Sequence, residues 1–552
     1  MTVRFGPGPV FVYEWITSAR RWQGYALRAL FVLALLVDLT VVWLSEVADR
    51  PFMTIQDQAQ VGLEFFIAIA GTQLSLVMLA APAATAGSIC LDRARGSLAH
   101  LLVTDLSSAE IVLGKLCARL WPTLGLVACG LPVMALGGLL GGIDPRALLN
   151  LFILSVACTV GGCTVALFFS IFASKMHEAL IATYMVGLVW VGLLPGWQGL
   201  TLFWGRGWFA FGPPQWVRLS NPFWLVFGPL ALPGSVVDAD VWRFFWCSLL
   251  ISAGVAGLAV WRIRPAGAAQ AALATDQPGL LARLRVRLPG PALEANPVLW
   301  HAWRRRQPSR WLRICGWLFV LGALAISLLA IVATWSPGTR PGAFAGLFNG
   351  LQVGAGLLLL SVTPASVLGE DRASGSFDVL LMTPLSTREI VKGYWWGCYR
   401  PVLGLALLAA IVAGAISNGS TGALHALTVG ALVLAYGAAL VSLGLALAAW
   451  LPKPGQAAAM TVFIYTLMSV GWLFAVAALV RDGVFGPGLG MGSPGGGVAL
   501  ASISIGGKPS FRGVHFFGLF WIGVYSLAAV AIASAAVVTL DRLRGPYRQA
   551  NG

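Results

Sequence analysis

Residues Asp92-Arg93-Ala94-Arg95-Gly96-Ser97 lead into Leu101-Leu102-Val103-Thr104-Asp105-Leu106-Ser107 and then Glu110-Ile111-Val112-Leu113-Gly114. The same phrase returns as Asp371-Arg372-Ala373-Ser374-Gly375-Ser376, Leu380-Leu381-Met382-Thr383-Pro384-Leu385-Ser386 and Glu389-Ile390-Val391-Lys392-Gly393. Adding 279 converts the first numbering into the second, and fifteen of thirty-one positions from 92–122 are identical in 371–401 without a gap. A period of about half the 552-residue chain marks a duplicated domain and not a solenoid array.

Each copy is an island of charge between two long apolar runs, which predicts a short membrane-adjacent loop. Ser107-Ser108-Ala109-Glu110 and Ser386-Thr387-Arg388-Glu389 both have the Ser-x-x-Glu spacing of a capping box. There the Ser side chain satisfies a free amide of the first turn and the Glu reaches back to the cap. A membrane helix is therefore expected to start at each box. Ahead of the boxes, Leu98, Leu101 and Leu102, with Phe377, Leu380 and Leu381 in the second copy, stand at helical i, i+3, i+4 spacing behind a Gly-Ser pair. That spacing predicts a short amphipathic helix lying across each loop.

These residues resemble the loop after the second span in permease subunits of ATP-binding-cassette (ABC) exporters of the type-2 membrane class. The family pattern is roughly acidic-Arg-x-x-Gly-Thr/Ser, Leu-Leu, Thr-Pro-Leu-Ser, then Glu-Ile-Val-x-Gly-Lys. The resemblance implies that each loop is a coupling helix seated in a groove of a cytoplasmic ATPase dimer. It assigns Arg93 and Arg372 to anchoring the helix starts, and Gly96 and Gly375 to the turn before the helix. Leu101, Leu102 and Leu106, with Leu380, Leu381, Pro384 and Leu385, would supply the docking face, and Glu110 and Glu389 the restart of the membrane helix. The copies depart from the pattern at different places. The first has Asp105 where the second keeps Pro384, and Leu91 where the second has the acid Glu370. The second has Tyr394 where the first keeps Lys115.

Composition bounds the class. With 58% hydrophobic residues, 10% charged residues and a mean hydropathy of +0.82, the chain is expected to be an integral membrane protein. Its net charge of +15 does not call for nucleic acid, because most Lys and Arg fall on the side of the repeated loops, as the positive-inside bias requires. The eight cysteines all fall in spans or on that same side, so neither a disulfide framework nor a metal site is expected. Arg20, Arg21 and Arg28 lead into a full-length span and not into a cleavable signal.

The hydropathy pattern predicts an all-α polytopic membrane protein of twelve spans, arranged as two six-span repeats of parallel orientation. The first repeat occupies residues 1–263, a cytoplasmic linker 264–295 and the second repeat 296–552. Spans are expected at 26–44, 61–88, 112–140 and 148–173, a fifth ending near 195, and a sixth at 241–260. The second set is expected at 311–333, 342–367, 391–415, 423–450, 457–480 and 515–540. Mixed aromatic and basic stretches before the first span of each repeat read as interfacial helices. The aromatic stretch 196–240 reads as short helices at the outer interface, and 482–513 as a Gly-rich outer loop. Both termini are placed in the cytoplasm of a cell with this chain in its plasma (inner) membrane.

No nucleotide site is present: Gly506-Gly507-Lys508 is followed by Pro509 where a phosphate loop needs Ser or Thr. ATP and Mg2+ would therefore bind the partner ATPase, and this chain is not read as an enzyme and carries no cofactor of its own. Gln73 and Gln352 occupy equivalent mid-span positions, either along a substrate path or as hydrogen bonds joining helices. Asp38 and Glu64 lack counterparts in the second repeat. Arg119 and Arg400 sit where a long side chain can snorkel to the surface. The five histidines are scattered, with no paired carboxylates or His-Glu-x-x-His run nearby. A secondary transporter or a channel-like protein not driven by ATP is the alternative; a transporter would be expected to place coupling charges inside the membrane, usually in inverted repeats. A membrane enzyme would need a nucleophile, metal or acid pair.

Overall fold

The computed structural model describes residues 8–19, 22–47, 54–94, 96–139, 143–173, 175–203, 212–273, 297–304, 310–334, 341–373, 375–417, 422–451, 454–473, 476, 485–506 and 513–549. Every regular element among them is helical. The first part of the chain gives α1 (Gly8–Ala19), α2 (Trp22–Glu46), α3 (Ile55–Thr85), α4 (Cys90–Ala94), α5 (Ser97–Val103), α6 (Ser108–Leu139), α7 (Pro145–Phe172), α8 (Met176–Phe203), α9 (Gln215–Ser220), α10 (Pro222–Ala231) and α11 (Asp238–Leu273). The second gives α12 (Pro297–Arg304), α13 (Arg310–Thr334), α14 (Pro341–Ala373), α15 (Ser376–Leu381), α16 (Thr387–Ile416), α17 (Gly422–Trp450), α18 (Pro454–Thr466), α19 (Phe485–Gly490), α20 (Pro494–Gly506) and α21 (Val514–Gln549).

Local chemistry sets the boundaries. Thr54 and Asp57 form a capping box ahead of α3. Asp144 caps α7 by accepting from the Arg146 amide at 2.9 Å, with Pro145 at the first helical position, where its missing N–H is no loss. Asn221 accepts from the amides of Phe223 and Trp224 to open α10, and its Nδ2 donates to Val191 O on α8 at 2.9 Å, which docks the short helix on the long one.

Among the described residues, ten helices are long and apolar enough to cross a membrane, six between Gly24 and Pro265 and four between Ala345 and Arg542. The chain is a multi-pass α-helical membrane protein. Of the twelve expected spans, the seventh falls on α13, whose described apolar part is Arg313–Leu328. The eleventh falls on α18, which continues as a π-helical turn over Leu467–Gly471. Neither is among the ten helices that are long and apolar enough within the described residues, so ten spans stand where twelve are expected. Of the expected linker 264–295, residues 264–273 continue helix α11 and 274–295 lie outside the described residues.

The two parts of the chain meet through a crossed arrangement. Helix α3 packs against α18, and α14 packs against α8, so the long helix before each repeated loop touches the other part. One buried apolar cluster runs through the meeting place, from Ala83 and Met176 to Val353 and Leu358. A polar pin closes it near the loops: Glu370 accepts from the Met176 amide at 3.1 Å and faces His177 Nδ1 at 3.3 Å. Met176 opens α8, where a carboxylate meets the positive end of the helix dipole. Leu91 occupies the matching position of the first copy, and the matching helix α18 opens on Pro454, which has no N–H to offer.

The segment 482–513 differs from the expected outer loop. Its described residues form α19 and α20, and α20 lies directly along α14. The cause is legible in hindsight as Gly346, Gly350 and Gly354, spaced four apart on one face of α14. A Cβ at Gly350 would meet Ala499 Cβ at 2.5 Å and Gly495 O at 2.7 Å, and one at Gly495 would meet Gly354 Cα at 3.1 Å. Small residues let two backbones touch where lipid gives no hydrophobic drive to association. Tyr436 OH donates to Met491 O, and Tyr465 OH to Gly354 O at 2.6 Å, both fixing the Gly354–Gly495 end of the contact. A Gly350→Leu substitution is expected to cost about 1–3 kcal/mol by overpacking and to lift α20 from α14. A cysteine at Ala499, buried in the wild-type background, should then become reactive to a soluble maleimide, whereas unchanged protection would contradict this packing.

Candidate functional site

The first repeated loop is held on three sides by the rest of its own bundle. After α3 the chain turns, and the amides of Ile89 and Cys90 both donate to Ser170 Oγ at 3.1 Å. Arg93 then reaches the end of α7, donating to Ala173 O at 3.1 Å and Ile171 O at 2.5 Å. Those carbonyls belong to the last turn of a helix, where no intrahelical donor is left for them and a cation meets the negative end of the dipole. Gly96 has φ 76°, a left-handed conformation that glycine adopts without the penalty of a side chain, and α5 starts directly behind it. The box then forms as expected: Glu110 Oε2 accepts from the Ser107 amide at 2.8 Å, and the Glu110 amide donates to Ser107 Oγ at 3.1 Å.

The second loop repeats each device. Arg372 donates to Ala448 O and, at 2.8 Å, to Ala449 O at the end of α17. Gly375 has φ 75° and precedes α15. Glu389 accepts from the Ser386 amide at 2.8 Å, and the Glu389 amide donates to Ser386 Oγ at 3.3 Å.

A third support is invisible to motif reading. Arg264, near the end of the apolar part of α11, donates to Leu106 O at 3.0 Å and to Ser108 Oγ at 2.9 Å. Arg544 of α21 donates to Leu385 O at 2.5 Å and Thr383 O at 2.7 Å. The signal was present as Arg262-Ile263-Arg264-Pro265 and Arg542-Leu543-Arg544-Gly545-Pro546, basic runs after an apolar helix that read equally well as ordinary positive-inside residues.

The loops differ beneath this shared frame. Lys115 is buried and ion-paired with Asp92 and, at 2.5 Å, with Glu14 of α1, and Glu14 also pairs with Arg119 at 3.1 Å. At the matching place the Tyr394 hydroxyl donates to Asp371 Oδ2 at 2.6 Å. A hydrogen bond from an uncharged phenol thus stands where the first loop has an ionic cluster that also ties down α1. Arg119, expected to snorkel, is instead engaged by this cluster.

The leucines do not all face outward. Leu381 is buried, and Leu101, Leu102, Leu106, Leu380 and Leu385 are half-buried against the bundle cores. The apolar side chains left projecting are Val103, 87% exposed, its counterpart Met382, 60% exposed, and Val379. Pro384 is exposed beside them. Counting one residue further along the i, i+3, i+4 pattern would have found the outward face.

A cavity of about 1080 Å3 lies between the two parts of the chain, walled by α3, α7, α8 and α11 on one side and by α14, α20 and the π-helical turn on the other. Gln73 and Gln352 are not in its walls. Gln73 Nε2 donates to Ser155 Oγ at 3.0 Å, and Gln352 accepts from Ser327 Oγ at 2.9 Å while donating to Asn349 Oδ1 at 3.1 Å. Both are hydrogen-bonded within their own part of the bundle. Asp38 is buried in α2, and Glu64 is half-buried in α3. His425 and His515, distant in sequence, stack at 4.7 Å, with His515 Nδ1 3.0 Å from Thr428 Oγ1. Among the described residues no group of three His, Cys, Asp or Glu could hold a metal ion.

Removing one member of a buried ion pair strands its partners and costs about 3–5 kcal/mol, whereas a lost hydrogen bond from an uncharged donor to a carboxylate costs about 1.5–3 kcal/mol. Lys115→Met is therefore expected to lower the apparent melting temperature of the detergent-purified chain beyond Tyr394→Phe. Equal shifts would contradict the ionic reading of the first loop.

No protein-family model matches this chain, and a search of curated proteins finds no match either.

Proposed function

We propose that this chain is the membrane permease of a type-2 ABC exporter, with two permease repeats fused in one polypeptide and driven by a separate cytoplasmic ATPase dimer. The observation that carries this reading is the doubled loop. Each copy has an arginine on a helix end, a left-handed glycine, a capping box and a second arginine from the last long helix of its part. Two short helices are thereby fixed to two bundles, each with an outward apolar side chain at the same repeat position, Val103 and Met382. Loops built only to connect spans have no need of such bracing. A rigid loop can pass a push from an ATPase to the helices behind it, which a slack loop cannot. The twelve-span, two-repeat arrangement with cytoplasmic termini belongs to this proposal, with α13 and α18 as the seventh and eleventh spans. The crossed contacts of α3 with α18 and of α14 with α8 fit two halves related by a pseudo-twofold axis.

In this reading the ATPase groove receives Val103, Val379 and Met382, while the inward leucines transmit the displacement to the bundle. Burying an apolar side chain of this size contributes about 1.5–3 kcal/mol. The double variant Val103→Asp, Met382→Asp should lose stimulation of a partner ATPase and retain the melting behaviour of the wild type. Unaltered ATP hydrolysis in the reconstituted complex would rule out this docking face. Leu381→Asp should differ by destabilising the permease itself, because Leu381 is buried. A Leu381→Asp chain that melts like wild type would show that the leucine does not pack inward.

A further inference from the structure

The cavity between the two parts of the chain has a polarity that selects its occupant. Among the described residues its charged wall residues are Asp240 and Arg243, at one end. Arg243 Nη1 donates to Asp240 Oδ1 at 2.9 Å, and the Arg243 side chain is 74% exposed against 10% for Asp240. From that end the wall runs down α11 as far as Val255, fifteen residues or about 22 Å at the rise of an α-helix. This exceeds one leaflet of hydrocarbon, about 15 Å or half the core of a bilayer.

Along that length most of the wall hydroxyls donate to backbone carbonyls. Tyr184 donates to Leu79 O at 2.7 Å, Tyr465 to Gly354 O at 2.6 Å, Thr183 to Ala179 O at 2.8 Å and Thr466 to Val462 O at 2.8 Å. A sugar or peptide placed here would exchange its water for few donors, an unfavourable transfer. Apolar chains would lose nothing by entering.

We infer that the cavity binds a long-chain amphiphile, its anionic head, phosphate or carboxylate, at Arg243 and its acyl chains along α11 towards Val255. A guanidinium already oriented by one carboxylate keeps further N–H donors for an acidic oxygen pair. Trp216, 65% exposed and also in the wall, adds the amphipathic ring expected near a headgroup. This names the substrate class of the proposed exporter and rests on that reading only for the claim that the bound molecule is transported.

The test uses the full chain in vesicles of phosphatidylethanolamine and phosphatidylglycerol, with no ATPase present, so its outcome is independent of coupling. A photoreactive palmitoyl phosphatidylglycerol is cross-linked and the labelled peptides are mapped. Label is expected on the cavity walls of α8, α11 and α20. Gly187 lines the cavity and a Cβ there meets nothing within 4 Å, so Gly187→Ala should label as wild type and Gly187→Trp should lose about tenfold. Gly161→Phe, whose Cβ would have Ser248 Oγ at 3.6 Å, is the independent blocking variant on a different helix. Arg243→Gln should weaken labelling by the anionic probe and leave a photoreactive diacylglycerol unaffected, which places the head. Label confined to the lipid-facing side of α11 and α21, equal labelling in both blocking variants, or protection by a soluble oligosaccharide would each overturn the proposal.

Discussion

Two guanidinium groups fix the end of the molecule where the repeated loops lie. Arg93 and Arg372 each donate to carbonyls at the end of a helix that the chain reaches much later, α7 and α17. Those carbonyls lie at the edge of an apolar bundle, where water is scarce and an unpaired acceptor is costly. Each arginine therefore satisfies a helix end and sets the position of the short helix behind it in one interaction. The left-handed glycine, the capping box and the arginine from α11 or α21 depend on this placement, because each presupposes that the loop has already been turned back onto the bundle.

The loops share this frame and differ in what lies beneath it. The first adds buried Lys115, shared between Asp92 and Glu14, and so makes α1 part of the assembly. The second has a phenol at that place, and spends its extra acid, Glu370, on the first turn of α8 across the meeting of the two parts. Divergence between the copies is thus a division of labour: one loop holds the amino-terminal helix, and the other holds the two parts together.

Much of this was legible in the sequence. The membrane class, the short helices and both capping boxes follow from hydropathy and from Ser-x-x-Glu spacing, local signals that tertiary packing did not override. The arginines of the motif could be assigned to anchoring, although their acceptors could not, since the end of a helix eighty residues away is not a local property. Residues 482–513 were misread because glycine is ambiguous: a Gly-rich stretch reads as a loop until Gly346, Gly350 and Gly354 are recognised as the surface it packs on. The leucines were read as outward because the i, i+3, i+4 pattern identifies an apolar face without saying which neighbour covers it. Gln73 and Gln352 show the same limit, since mid-span polarity demands a partner and does not say whether that partner is substrate or protein.

Under the proposed permease function, two braced loops on one chain would take two ATPase subunits, one beneath each loop. The most direct measurement is the mass of the intact complex purified through a tag on this chain, read by native mass spectrometry with ATP and Mg2+ held in the sample. The account predicts one permease chain with two ATPase subunits, each cross-linking to a photoreactive residue at position 103 or 382. A complex of two permease chains with two ATPase subunits, or cross-links from only one of the two positions, would contradict it.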